Sequence, residues 1–473
     1  MFRYLPPTDD DLLEASGQIR SKDKKKYKRV QIEDEFNVPR TTEIVLLKAK
    51  IAANDISNLP FYIDFLWIVD FALCTSAVYI VSELLQAYLP SAFYSNSIIN
   101  SRFNLSLLWW ILAFFFAFKS LISAASIYFK RNSCKGSDFT TPEFAVICGS
   151  GFTFFVLAFL CLTLDGIYFD FKLKTGYINL SKSADDEAPI FSMGAFQTGL
   201  ALFSGIVGGL FIFPGMRYSK MYLDGLHDSS IFTRFFSHIN FICPLLCSFL
   251  WCLPVINQIL PLTLSSLAAV FSNSHLNLLL VPTMNFISWL QPNKVISLRL
   301  LSVLLYVMLR ASMIKSHIKA FLQMARDKVT DLKLEPGKIT NKEIQRIVSS
   351  VFCCINLVAV QYAAPCILTA SLLCLYKNFT GPSTCWFPWH SSIPYEHIDM
   401  TGTTITDPDF LNSYWFSSLV QTRKSLLSLL EIWSERGQNI SHCVLGFSLW
   451  WTLICWQIVS FVGVIYHRYA SHI

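Results

Sequence analysis

Long apolar runs alternate with short polar stretches along most of this 473-residue chain. A run of about 20 apolar residues predicts a transmembrane helix, because a helix that rises about 1.5 Å per residue needs that length to cross the hydrocarbon core. The fold class predicted is therefore all-α, a polytopic helical membrane protein. We predict eight spans, at residues 64–88, 104–129, 144–169, 191–213, 235–256, 296–316, 350–376 and 443–466.

Residues 1–60 are polar and precede a predicted transmembrane bundle over residues 61–473. An acidic start at Asp9–Asp11 is followed by the basic block Lys24–Arg29, a pattern typical of a solvated, cytosolic tail. Binding to a lipid surface or to a partner protein is the alternative role for this tail. We expect no signal peptide, since the start lacks the apolar segment that one requires.

A second polar region, at about 315–349, predicts a cytosolic helical hairpin. The helix is predicted to leave the membrane, to stop at Pro336-Gly337 and to restart at Thr340, where Glu343 completes a capping-box pattern. The hairpin is either a simple connector or a docking site for a partner protein or anionic lipid.

The distribution of charge predicts that both termini lie in the cytosol. In this orientation the inner segments hold roughly three times as many Lys and Arg residues as the outer loops, as the positive-inside rule requires. The main outer loops are about 257–295 and 377–442. The candidate N-glycosylation sites all fall on the outer side, at Asn104, Asn179, Asn378 and Asn439.

Residues 258–291 are apolar enough in part to enter the membrane, but Pro261 and Pro282 bracket the stretch. One full crossing here would invert every later segment and place the basic hairpin outside. We therefore predict an interfacial or re-entrant loop on the outer side, with two short spans as the alternative.

Charged residues also fall inside the predicted spans. Charges in lipid cost about 2.5 to 3.5 kcal/mol on insertion scales, so they tend to face the bundle and pair. We predict a buried pair between Asp70 and either Lys119 or Arg310, and a second pair between Glu83 and Arg299 in the outer half. Lys119 and Arg310 could instead extend to the nearer interface.

Proline and small residues indicate the shape and packing of the helices. Pro214-Gly215 is predicted to end one span, while Pro244 and Pro365 predict helix kinks. Small residues at four-residue steps, Ala201, Gly205 and Gly209, predict a close packing face. That face would lie within the bundle or form a dimer.

Composition narrows the function classes. The chain is 53% hydrophobic with a mean hydropathy of +0.45, and its net charge of +6 is spread over many loops, which favours lipid headgroups over nucleic acid as partners. The 14 cysteines show no metal-site spacing, so we predict no metal ion and no cofactor. No catalytic motif is present, and we expect no enzymatic activity; acyl transfer using His238 is the remaining enzymatic alternative.

Several segments carry a resemblance: FPGMRYSKMYLDGL, HINFICPLLCSFLW, Trp67–Phe71, Arg310 with Lys315-Ser316-His317, and Gln361–Pro365. From about Tyr4 to Tyr469 the chain resembles the transmembrane protein 161 family, whose members begin with an additional hydrophobic segment. The resemblance implies a non-catalytic protein of the plasma membrane or an endomembrane, linked to ion currents, membrane excitability and protection from oxidative stress. A channel or other membrane protein is then the expected partner. A transporter or ion channel in its own right is the alternative.

Overall fold

The computed structural model describes residues 1–16, 36–88, 107–133, 142–182, 192–227, 230–255, 292–334, 338–380, 386 and 438–470. The strands are β1 (Phe2–Tyr4), β2 (Asn37–Val38), β3 (Lys48–Lys50) and β4 (Ile339–Thr340). The helices are α1 (Asp9–Ala15), α2 (Ala53–Ser57), α3 (Tyr62–Tyr88), α4 (Leu107–Ser133), α5 (Pro142–Thr163), α6 (Leu173–Lys182), α7 (Met193–His227), α8 (Ile231–Phe249), α9 (Pro292–Leu334), α10 (Asn341–Cys353), α11 (Ile355–Thr380) and α12 (Gln438–Ala470).

The predicted all-α membrane architecture is confirmed. Within the described ranges eight helices are long and apolar enough to cross a membrane, with α10 and α11 counted together. The centre of the bundle is α11, which packs against α4, α9 and α12. A large core of aromatic and aliphatic side chains joins these helices to α7, and its fully buried members include Phe211, Tyr218, Trp251, Tyr306, Phe447 and Trp451.

The prediction that Pro214-Gly215 ends a helix is wrong. Helix α7 continues through Pro214 to His227, because neighbouring helices support the turn that lacks one backbone hydrogen bond. Gly215 lies against Val459 of α12, and a Cβ atom on Gly463 would lie only 2.5 Å from the Ser219 hydroxyl oxygen. These glycines bring α7 and α12 close together where a sequence pattern alone indicates a break.

The small residues of α7 pack inside the bundle. Ala201 is fully buried, a Cβ on Gly205 would lie 2.8 Å from the Gly151 carbonyl oxygen, and one on Gly209 would lie 3.2 Å from the Ile147 carbonyl oxygen. The close contact predicted for this face is thus made with α5 of the same chain, which leaves no room there for a second copy.

The described part of the polar N-terminal region, residues 1–16 and 36–57, is folded rather than a solvated tail. Strands β1 and β3 pair, and β2 pairs with β4, which lies roughly 300 residues later in the chain. We call residues 1–16 and 36–57 the N-terminal module. Its apolar side chains share a small core with α9 and α10, formed by Leu12, Val38, Val329, Leu332, Ile339, Ile344 and Val348. The basic block Lys24–Arg29 lies outside the described residues.

Polar contacts fix the module on α10. The Asp9 carboxylate accepts hydrogen bonds from Asn341 Nδ2 at 2.8 Å and from Gln345 Nε2 at 3.0 Å, and Asn341 Oδ1 accepts the Phe36 N–H at 3.2 Å. The hairpin itself forms where the sequence predicts it. Helix α9 ends at Leu334, and the Thr340 hydroxyl accepts the Glu343 N–H at 3.3 Å as the N-cap of α10.

One contact defines the opposite end of the bundle. Arg299 near the start of α9 donates a hydrogen bond from Nε to the carbonyl oxygen of Leu250, at the end of α8, at 2.9 Å. The chain therefore leaves α8 and enters α9 at the same end of the bundle. Residues 256–291 themselves lie outside the described residues. We call this end the loop face and the end that carries the N-terminal module the module face.

Candidate functional site

Arg310 lies in the middle of the bundle with only 1% of its surface exposed. Five helices surround it, since α9 carries it and α7, α8, α11 and α12 each supply a side chain to its surroundings. The residues that form this Arg310 cluster are Tyr218, Asn240, Tyr306, Arg310, His317, Gln361, Tyr362 and Trp456.

Aromatic rings and oxygen atoms compensate the buried charge of Arg310. Its guanidinium carbon lies 3.7 Å from the ring centre of Trp456, 5.0 Å from that of Tyr362 and 5.3 Å from that of Tyr218. Nη1 donates to the Tyr306 hydroxyl at 2.8 Å, and Nη2 lies 3.5 Å from the Tyr362 carbonyl oxygen. Among the described residues no carboxylate pairs with this guanidinium, so the positive charge is stabilised mainly through cation–π contacts.

Hydrogen bonds extend the cluster toward the module face. The Tyr362 hydroxyl donates to the Arg310 carbonyl oxygen at 2.8 Å, and His317 Nδ1 lies 2.9 Å from the Met313 carbonyl oxygen. Asn240 Nδ2 donates to the Tyr218 hydroxyl at 3.2 Å. Three buried polar atoms of the cluster have no hydrogen-bond partner among the described residues, namely Arg310 Nε, His317 Nε2 and Asn240 Oδ1. The cluster therefore has hydrogen-bonding capacity that its own residues do not use.

Three helices of the cluster contain a proline one turn from a cluster residue. Pro214 precedes Tyr218, while Asn240 and Gln361 precede Pro244 and Pro365 by four residues. A proline removes the hydrogen bond to the carbonyl four residues earlier, so the ladders of α8 and α11 each lose a bond at the cluster. These interruptions make the helices easier to bend at this depth. The kinks predicted at Pro244 and Pro365 stay a prediction.

Arg217 connects the cluster to the module end of α7. Its Nη1 atom donates to the Gln361 side-chain oxygen at 2.9 Å. Further along α7, the Tyr222 hydroxyl lies 2.7 Å from Nδ1 of His238, the histidine considered above for acyl transfer. The polar contacts thus continue from the membrane interior toward the module face.

The predicted pairs of Asp70 are wrong. Asp70 and Lys119 are both exposed on the outer surface of the bundle and form no ion pair with described residues, while Arg310 points into the core. The buried side of α3 carries Ile68 and Tyr79, and Asp70 lies two residues beyond Ile68, about 200° further around the helix at 100° per residue. Outward orientation therefore follows from the helical register.

Glu83 and Arg299 are both paired, but not with each other. Arg299 Nη2 lies 2.8 Å from Asp170 Oδ2, and the Lys377 ammonium lies 2.6 Å from Glu83 Oε1. Asp170 follows α5 in a connection whose backbone contacts the end of α8, with its N–H bonded to the Trp251 carbonyl at 3.0 Å. Asp170 and Lys377 were missed as partners in the sequence analysis because it paired only charges inside the predicted spans. Both residues lie just outside those spans, at the loop face.

The four glycosylation candidates have different surroundings. Asn378 is buried within α11, 8% exposed, which argues against a glycan on it in the folded chain. Asn179 and Asn439 belong to α6 and to the first turn of α12. Asn104 lies outside the described residues. Asn179 and Asn439 therefore stay predictions for modification at the loop face.

The aromatic members of the cluster were not singled out from sequence. Tyr306 and Arg310 are four residues apart and so share a helix face, a spacing that would have indicated their contact. Trp456 carries no such signal, since α12 contains several tryptophans and only the packing of α12 against α7 selects this one. The proline positions were a further available indication.

Comparison with known proteins identifies the chain. A family model described as predicted transmembrane protein 161AB matches residues 1–471. The chain belongs to this family. With its eight apolar helices, this member of the transmembrane protein 161AB family is a multi-pass membrane protein. No solved structure matches it.

Proposed function

We propose that this chain is a non-catalytic membrane protein that regulates ion currents by acting on a partner channel. The observation that carries the proposal is the N-terminal module, which is folded onto α9 and α10. Helix α9 is continuous from Val329, in the module core, to Arg310 in the membrane interior. A protein that docks at the module face could therefore change the packing of the cluster through one helix.

Packing within the bundle favours regulation over conduction. Tyr218, Tyr362 and Trp456 fill the space where α7, α9, α11 and α12 meet in the described part of the chain. A conduction path through that region requires these rings to move apart. An auxiliary subunit has no such requirement, because its partner supplies the pore.

Electrophysiology tests this proposal. In cells without endogenous voltage-gated currents, expression of this chain alone should add no current. In excitable cells, its loss should change current amplitude, and re-expression should restore it. The Asn341→Ala variant removes the contacts of Asn341 with Asp9 and Phe36, so it should restore less regulation than the matched surface variant Lys338→Ala. Equal restoration by both variants, at equal surface abundance, would contradict the role of the module.

A transporter or ion channel is the second candidate function. It is favoured by a buried arginine without a carboxylate partner among the described residues and by prolines in three surrounding helices, features that a moving binding site would use. Purified protein in liposomes decides between the two. A current or substrate flux from this chain alone would support the second function and overturn the first.

We also propose that the module face is cytosolic, which places both termini inside. The basic ends of α9 and α10 lie at this face, in agreement with the positive-inside rule. A glycan on Asn179 and none on a sequon engineered near Lys328 is the expected mapping result. The reverse pattern would invert the orientation.

The family link to oxidative-stress protection is a separate part of the proposal. Cells that lack the protein should survive peroxide less well, and re-expression should restore survival. Unchanged survival in both conditions would remove this role.

A further inference from the structure

Helices α3 and α4 form an edge of the bundle with little of the described part of the chain around them. Only 17% of the membrane-spanning stretch of α3 and 28% of that of α4 is buried, compared with 83% for the α10–α11 pair. Their outward surfaces carry large exposed apolar side chains, including Leu66, Leu73, Leu112, Phe115 and Ile122. We call this surface the α3–α4 edge.

Each helix of the edge presents one charge of opposite sign. Asp70 on α3 and Lys119 on α4 are exposed, and neither forms an ion pair with a described residue. Both lie more than two turns inside their helices, where a charge that faces lipid is costly. The short aspartate side chain cannot easily reach an interface. Opposite charges at the same depth in the membrane would therefore stabilise both residues of the edge.

The two charges lie at nearly the same depth. The rings of Phe71 and Phe116 are 4.9 Å apart, and those of Tyr79 and Trp110 are 6.1 Å apart, which sets the antiparallel register of α3 and α4. From the first contact, Asp70 lies one residue toward the module face and Lys119 three residues in the same direction. Their depths therefore differ by about 3 Å at 1.5 Å per residue, which a lysine side chain can span.

We propose that two copies of this chain associate through the α3–α4 edge as a symmetric dimer. A two-fold axis along the membrane normal keeps every residue at its own depth and makes each contact occur twice. Asp70 of each copy then meets the partner's Lys119, because the two positions share a depth and have opposite charges. A second copy supplies both missing counter-charges at once, whereas lipid tails supply neither.

Charge reversal gives a specific test of this dimer. Asp70→Lys puts two lysines at each contact between identical copies, and Lys119→Asp puts two aspartates there. A copy with Asp70→Lys and a copy with Lys119→Asp restore one lysine opposite one aspartate at both contacts. The full-length chain is expressed with two different tags, and co-purification in mild detergent measures association.

Wild-type copies should co-purify. Each single variant should lose association with itself by at least tenfold, and the mixed pair should regain most of it. Ser312→Lys adds an exposed lysine on α9, away from the edge, and should leave association unchanged. Size-exclusion profiles identify variants that fail to fold. If a charge-reversal variant fails to fold, the neutral double variant with Asp70→Asn and Lys119→Met replaces it. Association of this double variant should be reduced.

Three results would overturn the proposal. The first is wild-type protein that is monomeric in both detergent and nanodiscs. The second is association of the folded single variants, or of the replacement pair, at the wild-type level. The third is a mixed pair that associates no better than each single variant. None of these results bears on whether the protein regulates a current.

Discussion

Arg299 and Arg310 lie eleven residues apart on α9, about three turns, so both point toward the core from the same helix face. Both are almost fully buried, at 3% and 1% exposure. Arg299, near the loop face, pairs with a carboxylate and with the Leu250 carbonyl oxygen. Arg310, deep in the bundle, pairs with hydroxyl and carbonyl oxygens and with three rings.

Arg299 also lies over a ring, with its guanidinium carbon 5.2 Å from the ring centre of Trp251, so the two arginines differ in the carboxylate partner. Near the loop face a connecting segment can bring Asp170 to Arg299, and water can still reach that carboxylate. In the interior a carboxylate would itself have to be desolvated, and this free-energy cost can exceed the gain from its attraction to the arginine. Rings and hydroxyls avoid this cost. They also leave a net positive charge inside the membrane, which is the physical reason to regard the Arg310 cluster as a functional site.

The largest effect on stability is expected for Arg299→Met. The change leaves the Asp170 carboxylate with the more distant Lys172, at 3.7 Å, as its ion-pair partner, and it removes the side-chain donor to the Leu250 carbonyl. Two hydrogen bonds from a charged group are lost, each worth about 1.5 to 3 kcal/mol, so we expect a loss of about 3 kcal/mol. Steric trapping in detergent measures the free energy of unfolding. The double variant with Arg299→Met and Asp170→Asn should lose less free energy of unfolding than the sum of the two single changes. Strictly additive losses would mean that the interaction between Arg299 and Asp170 contributes nothing to stability.

Tyr306→Phe should follow with a loss of about 2 kcal/mol, since it removes the hydroxyl that accepts from Arg310 Nη1 and hydrogen bonds to charged groups contribute most. The same unfolding measurement applies. Tyr466→Phe, on an exposed position of α12, is the matched control and should change stability by less than about 0.5 kcal/mol. Equal effects of the two changes would show that Arg310 does not depend on this hydroxyl.

Lys377→Met separates the effect of a carboxylate partner from the effect of burial. Lys377 pairs with Glu83 at 2.6 Å, but both side chains keep some exposure to their surroundings, so we expect a loss of about 1 kcal/mol. Thermal unfolding followed by size-exclusion fluorescence is sufficient to rank it. A loss as large as that of Arg299→Met would indicate that carboxylate pairing matters regardless of exposure.

Arg310→Met should have the smallest effect on stability, less than about 1 kcal/mol. The free energy gained by no longer burying a charge without a carboxylate partner offsets the loss of the hydrogen bond to Tyr306. Current regulation should nevertheless be lost in the electrophysiological assay. A large loss of stability, comparable with that of Arg299→Met, would show that the cluster is mainly structural. Normal regulation by the stable variant would remove its functional role.

Much of the architecture follows from hydrophobic pattern, because each span needs a minimum apolar length and the hairpin between α9 and α10 has a local capping signal at Thr340. The sequence predicts the partners of individual side chains less well. The direction in which Asp70 points depends on which face of α3 meets α4 and α11, and no property of Asp70 itself records that choice. Similarly, Pro214 predicts a break, but the close approach of Gly215 to α12 keeps α7 continuous. Such tertiary contacts override local preferences.

The pairing of β2 with β4 also has a consequence for biosynthesis. Asn37 and Val38 leave the ribosome roughly 300 residues before Thr340 and Ile339, their partners in the sheet. At about 5 to 20 residues per second, the early strand waits on the order of 15 to 60 seconds before its partner is made. During that interval six of the eight membrane helices in the described ranges are synthesised while β2 has no partner strand. A chaperone that shields this strand, or a ribosome pause after α10, would determine how much of the chain reaches its folded state.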